Sequence, residues 1–367
     1  MEVIILAGGF GTRLRSVVNE VPKCMAPIAN KPFLWYLLKY LTKFDVSKVI
    51  LSLGYLRGVI IDWIDECKDE FPFAFEYVII YRKYLLPAKC QHPKKVGRYI
   101  KMKLTILGTG NAKVTKCYNT CFALNEDKEY FMIDGGGGNT ILKQLEDAGI
   151  SWKEIRTIFV THKHIDHLLG IIWMLRMYCQ GMARGQFGGE VTIYGHDEVI
   201  SLLKQMAEML LTPKETKFIG DKVHLEEVKD GEDRTILGHR VTFFDILSTK
   251  AKQFGFCMEY AEGKKLTCCG DEPYNECEQK YAKNSTWLLH EAFCLFSQAD
   301  KFKPYEKHHS TVKDACELAQ KLEAENLILY HTEDKNISRR KELYTEEGRQ
   351  YYKGNLWIPD DLEIYKL

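Results

Sequence analysis

The sequence predicts an α/β protein built in two unequal parts. A short alternation of strands and helices stands at the amino terminus, and a larger domain of short strands flanked by helices follows it. Three observations carry this reading. Apolar, strand-like runs alternate with amphipathic helical ones over the first 80 residues, composition changes abruptly across 82–101, and a run of short strands with tight turns begins at Met102.

Strands are expected at 3–7, 49–53 and 75–81, with helices at 32–44 and 57–71. This βαβαβ order implies a parallel sheet with helical crossovers, a Rossmann-like partial domain over 1–81. Residues 82–101, RKYLLPAKCQHPKKVGRYIK, hold seven Lys or Arg, two prolines and no acid. They read as a basic linker, because so few charges give only weak attraction to a phosphate backbone. In 102–367 the segments MKLTILGTG, TCFALN, EYFMIDGG and TIFVTH read as strands, and helices are expected at 140–148, 168–182, 198–210 and 311–324. The boundary between the parts falls near residue 100.

Composition excludes several classes. Of 367 residues, 46% are hydrophobic and 28% charged, which is ordinary for a soluble globular protein. A net charge of +1 argues against a global field for nucleic acid or membrane. No run approaches the roughly 18 to 20 apolar residues of a membrane helix, and the start lacks the order of a signal peptide. The 12 cysteines are scattered through the chain, so buried or reduced thiols in a cytoplasmic protein are expected rather than disulfides. The Cys117/Cys121 and Cys268/Cys269 pairs have poor zinc spacing.

The chemistry concentrates in THKHIDHLLG, 161–170. His162, His164, Asp166 and His167 lie within six positions, between an apolar strand and an apolar helix. Imidazoles on alternate residues of an extended segment project to one side. The Asp and His that follow turn into the helix start and can reach a second ion. Neutral imidazole and carboxylate suit a pair of divalent metals, zinc first, with manganese or iron also open.

HxHxDH after a strand resembles the signature of the metallo-β-lactamase fold, an αββα sandwich with its metal site along one edge, and the likeness spans about 102–367. Asp271 in CCGDEP is similar to that family's bridging carboxylate, and His331 in LILYHTED to its last imidazole. Within the fold, LLHEAF at 288–293 and HHST at 308–311 resemble elements of ribonuclease Z. The resemblance implies one or two metal ions and a metal-bound hydroxide that attacks phosphorus. It also implies His309 as proton donor to the leaving oxygen, oriented by Glu291. Asp166 would serve both metal and catalysis. His290 points away from Glu291 along a strand and reads as packing.

Two departures from the family pattern stand out. In FFDILSTKAKQFGF, 243–256, Leu247 is expected at the strand end where the family places a metal-binding His, which leaves the first ion only His162, His164 and Asp271. Only 23 residues separate Leu247 from Asp271, where bacterial ribonuclease Z inserts the arm that grips tRNA. A small-molecule or nucleotide phosphodiester is therefore the expected substrate in preference to tRNA, with no membrane partner and with a homodimer possible.

The opening LAGGFGTRLR, with PKCMAPIANKPFL after it, resembles the start of sugar-phosphate nucleotidyltransferases. Gly8, Gly9 and Gly11 let backbone amides approach phosphates, and Arg13 and Lys23 match positions that neutralise a triphosphate. The likeness stops near residue 80, before a metal-binding acid or a sugar-binding half could follow. The segment thus reads as a truncated sheet kept for packing or dimerisation, with nucleotide binding retained as an alternative. Two other readings of the whole chain stay open here: a non-catalytic or weakly active binding protein, and a nucleotidyltransferase completed by another chain.

Overall fold

The computed structural model describes residues 2–6, 23–28, 31–53, 57–79 and 102–367. Two compact units divide between Lys95 and Val96, and each is described by itself. The expected linker 82–101 and the boundary near residue 100 lie outside the described residues, as do Gly8, Gly9, Gly11 and Arg13. Of Lys23 only the backbone is described, as the first residue of the short helical turn Lys23–Met25.

In the first unit, β1 (Glu2–Leu6), α1 (Phe33–Leu41), β2 (Lys48–Leu53), α2 (Arg57–Cys67) and β3 (Ala74–Ile79) follow the expected order. The three strands pair in parallel in the order β1-β2-β3. Leu34 and Leu38 of α1, Val49 and Leu51 of β2, and Ile60 and Ile64 of α2 share one buried cluster. Their spacing explains it: positions i and i+4 on a helix, and i and i+2 on a strand, face one side.

In the second unit the chain runs β4 (Lys103–Gly108), β5 (Cys121–Glu126), β6 (Glu129–Ile133), α3 (Thr140–Asp147), β7 (Ile155–Val160), α4 (Ile165–Ala183), β8 (Val191–Gly195), α5 (Asp197–Leu210) and β9 (Val223–Glu227). It continues through β10 (Glu232–Ile236), β11 (His239–Asp245), β12 (Phe254–Ala261), β13 (Lys264–Cys268), β14 (Trp287–Glu291), α6 (Val312–Lys321), β15 (Asn326–Tyr330), α7 (Arg340–Gly348), β16 (Asn355–Trp357) and β17 (Ile364–Lys366).

Two seven-stranded sheets result, in the orders β9-β8-β7-β6-β5-β4-β17 and β10-β11-β12-β13-β14-β15-β16. Phe122, Phe131 and Phe159 of the first sheet pack against Phe243, Phe256 and Tyr330 of the second, and the Phe159 and Phe243 rings stand 4.6 Å apart. Separate buried clusters seat α3, α4 and α5 on the outer face of one sheet and α6 and α7 on that of the other. This is the αββα sandwich. Both sheets become parallel on the side where β6–β9 and β13–β16 lie, so several strand C-terminal ends share one edge. That edge is where open α/β sheets place ligands.

Helix ends are specified locally. Thr311 caps α6, accepting from the Asp314 amide, while the Asp314 carboxylate takes the Thr311 amide (2.9 Å). The cysteines among the described residues are all unpaired thiols, most of them buried. No helix among the described residues is long and apolar enough to cross a membrane.

Candidate metal centre

Strand ends deliver the polar residues one by one. His162 follows β7 and pairs with Gln253 as an isolated antiparallel bridge. His164 holds an extended backbone (φ −61°, ψ 149°) just before α4, so its ring returns to the same side as that of His162. The two ring nitrogens, His162 Nε2 and His164 Nδ1, stand 2.7 Å apart. Asp166 and His167 occupy the first turn of α4, Asp271 follows β13, and His331 follows β15 in the left-handed conformation (φ 56°). A non-glycine residue held there costs about 1–3 kcal/mol, a strain that concentrates at functional sites.

Asp271 Oδ2 lies at the middle. His167 Nε2 stands 3.3 Å from it, His331 Nε2 3.4 Å and His162 Nε2 3.6 Å. Asp166 Oδ2 is 3.5 Å from both His167 Nε2 and His331 Nε2. Three groups of three thus form, His162–His164–Asp271, Asp166–His167–His331 and, sharing His331, Glu291–His309–His331, each with ligand atoms within 4.8 Å of one another.

The donor set fits divalent ions. All of these residues except His164 are buried. Burial, opposed by Asp271, holds His162 well below the usual histidine range, and burial lowers His164 as well, which favours the neutral form that ligation requires. His167 behaves oppositely: burial disfavours its charge, yet Asp166 and Asp134 carry it well above the usual range. Asp166 and Asp271 are held below theirs despite burial, by His167 and His162 respectively. The buried carboxylates thus call for a cation, which a proton on His167 supplies and which a divalent ion can replace. His167 Nε2 and both ring nitrogens of His331 are buried and find no hydrogen-bond partner in the protein. Leaving such atoms unsatisfied costs about 1–3 kcal/mol each, a cost that ligation removes.

Two supporting residues escaped the sequence reading. Asp134, directly after β6, accepts from Thr161 N (2.8 Å) and Thr161 Oγ1 (2.8 Å), and its Oδ2 meets His167 Nδ1 at 2.7 Å. Close contact between α4 and the loop after β6 makes this possible. A Cβ on Gly170 would meet Gly135 O at 1.7 Å, and Gly135 N donates to His167 O (2.8 Å). The sequence signal was an acid between the apolar FMI and a glycine run. Gln253, also buried, donates from Nε2 to Asp271 Oδ1 (2.6 Å), and no local pattern announces it.

Leu247 departs from its expected place. It sits past β11 in the left-handed conformation (φ 56°), its amide tied to Asp245 Oδ1 (2.8 Å) and the residue 57% exposed. The contact between this segment and the cluster falls to Gln253 instead, six residues on. Residues 246–270 otherwise make a short loop and the hairpin β12–β13.

Glu291 ends β14 and His309 lies on the loop before α6. His309 Nδ1 stands 3.5 Å from Glu291 Oε2, while Glu291 Oε1 takes the Ser310 amide. Burial opposes charge on His309, but Glu291 beside it prevails and raises its pKa. Phe293 stacks on the imidazole at 4.8 Å and 8°, and the His331 ring lies 5.1 Å away. His290 is buried on the same strand with Nδ1 on Glu291 O (2.8 Å), and it joins none of the groups of three. A cavity of about 700 Å³ opens beside this pair, lined by Lys250, Phe293, Phe302, Lys307, His309 and His331 among others.

Comparison with known proteins separates the two parts. The nucleotidyl transferase family matches residues 2–61. D-glycero-alpha-D-manno-heptose 1-phosphate guanylyltransferase of Aneurinibacillus thermoaerophilus is 62% identical over 60 residues, 16% of this chain and 26% of that protein. The chain therefore spans about a quarter of that relative's length. Ribonuclease Z of Prochlorococcus marinus is 26% identical over 281 residues, covering 63% of this chain and 88% of that one. The metallo-β-lactamase fold protein YhfI of Bacillus subtilis superposes with a TM-score of 0.59 at 15% identity, over 73% of this chain and 100% of that chain. This likeness shows the fold. The family described as anti-Pycsar protein Apyc1 matches residues 102–349, more than half of the chain, and the chain belongs to that family.

Proposed function

We propose that this protein is a metal-dependent hydrolase of phosphodiesters, with small or nucleotide substrates in preference to tRNA. The convergence of His162, His167 and His331 on one oxygen of Asp271 carries the reading. His162, His164 and Asp271 would hold one ion, and Asp166, His167, His331 and Asp271 a second. Zinc suits the donors, with manganese or iron as alternatives. When bound, such ions supply electrophilic charge and make a water oxygen nucleophilic near neutral pH.

The chain's own residues do the rest. Asp134 fixes the ring of His167, so that Nε2 faces inward. Glu291 occupies the Nδ1 side of His309, which leaves Nε2 to deliver a proton to the departing alkoxide; Phe293 keeps that ring in plane. Similarity to proteins named ribonuclease Z supports phosphodiester chemistry. The short hairpin that fills 246–270 supports a substrate smaller than tRNA. We read 1–81 as the front part of a nucleotidyltransferase, a reading supported by a family match that ends at residue 61.

Hydrolysis of bis(p-nitrophenyl) phosphate by the metal-loaded full chain tests the assignment. Turnover lost on chelation and restored by divalent ions is expected. A rate equal to buffer with metal bound would refute it.

A further inference from the structure

The loop between β11 and β12 brings a cation to the cavity beside the metal centre. Lys250 lines this cavity together with His309 and His331. Three other lysines line the cavity: Lys335 pairs with Asp334 (3.4 Å), Lys307 donates to Phe302 O (2.6 Å), and Lys113, like Lys250, makes no ion pair among the described residues. No ion pair engages the Lys250 ammonium among the described residues.

The loop is anchored on both sides of this residue. Thr249 N donates to Glu272 Oε2 (3.3 Å), Thr249 Oγ1 meets His308 Nδ1 (3.1 Å), and Lys252 Nζ pairs with Asp197 Oδ1 (2.6 Å). Glu272 follows Asp271 and His308 precedes His309 in the chain. The position of Lys250 is therefore tied to the residues on either side of the centre.

We propose that Lys250 contacts the substrate directly, pairing its ammonium with a non-bridging oxygen of the phosphoryl group. The proposal rests on the phosphodiesterase reading and deepens it. A phosphodiester enters with one negative charge and gains more on its non-bridging oxygens as it is attacked. An unpaired cation at the cavity wall serves both stages.

Binding of inorganic phosphate to the full chain, followed by titration calorimetry at low salt, tests this without turnover. The variants are Lys250→Ala, Lys250→Arg and, as a charge control on an exposed residue outside the cavity, Lys222→Ala. Lys250→Ala is expected to weaken phosphate about ten-fold with metal content and melting temperature unchanged. Lys250→Arg should stay within about three-fold of the parent, and Lys222→Ala should match it. A parent that binds no phosphate, a Lys250→Ala protein that binds it as tightly as the parent, or an equal loss in Lys222→Ala overturns the proposal. Lys250-dependent phosphate binding without any phosphodiester hydrolysis would sink the hydrolase reading alone. Hydrolysis whose KM and phosphate affinity ignore Lys250 would sink this one alone.

Discussion

Gln253 Nε2 donates to Asp271 Oδ1 at 2.6 Å, which leaves Asp271 Oδ2 to face three imidazoles. One neutral amide thereby decides which carboxylate oxygen is offered to the metal centre. Gly270 leaves room for it, since a Cβ there would lie 2.8 Å from Gln253 Nε2. Gln253→Ala should free the carboxylate to rotate. Metal affinity is expected to fall about 10- to 100-fold, the usual loss when a partner that orients a ligand is removed. Competition with a chromogenic chelator measures it.

Leu247→His should not add a ligand. The side chain at 247 faces solvent, and Gln253 makes this segment's contact with Asp271. Elemental analysis is expected to give the same metal content for variant and parent, and phosphodiester turnover should be unchanged.

His309 is assigned to protonate the leaving oxygen, so its importance should follow the leaving group. His309→Ala is expected to slow hydrolysis of an alkyl phosphodiester by about 10²- to 10⁴-fold. The loss should be far smaller with bis(p-nitrophenyl) phosphate, whose phenolate departs without a proton. Metal content should stay at the parent's level. Equal losses on both substrates would assign His309 a structural role.

Glu278 provides a pH signature away from the candidate metal centre. One oxygen accepts the Asn275 amide (2.8 Å), the other is buried without a hydrogen-bond partner, and burial pushes the carboxyl up to about 8. The folded state thus keeps a proton that the unfolded chain, at 4.5, gives up. This contribution is fully present below about 4.5 and is lost as pH rises to about 8, so the group favours folding less at pH 8.5 than at pH 5.5. Its share of that decline is on the order of a few kcal/mol. Urea unfolding at the two pH values should show the decline in the parent and a flatter dependence in Glu278→Gln.

Much of the cluster was legible in the chain because its residues come from strand ends with local signatures. HKHIDH lies between an apolar strand and a helix, and Asp271 and His331 each close an apolar strand. The structure gathers all six residues at one edge, and it sets His309 beside Glu291. What stayed hidden depends on contacts between distant segments. Gln253 acquires its place through the bridge to His162, 91 positions earlier, and Asp134 through the approach of two glycines that let α4 lie on its loop. Leu247 was misplaced because a strand end in sequence does not reveal a left-handed turn, which directs the chain outward before it returns. Element bounds shifted for a similar reason: the helix expected over 168–182 begins at Ile165, so that Asp166 and His167 lie in its first turn.

Metal content and phosphodiester turnover, measured together on parent and Asp271→Ala, probe the proposed metal centre as a whole, because both candidate ion sites converge on that carboxylate. One or two divalent ions per parent chain by elemental analysis and hydrolysis of bis(p-nitrophenyl) phosphate are expected, with both lost in the variant. A parent that carries no metal after incubation with zinc and hydrolyses no faster than buffer would contradict this expectation.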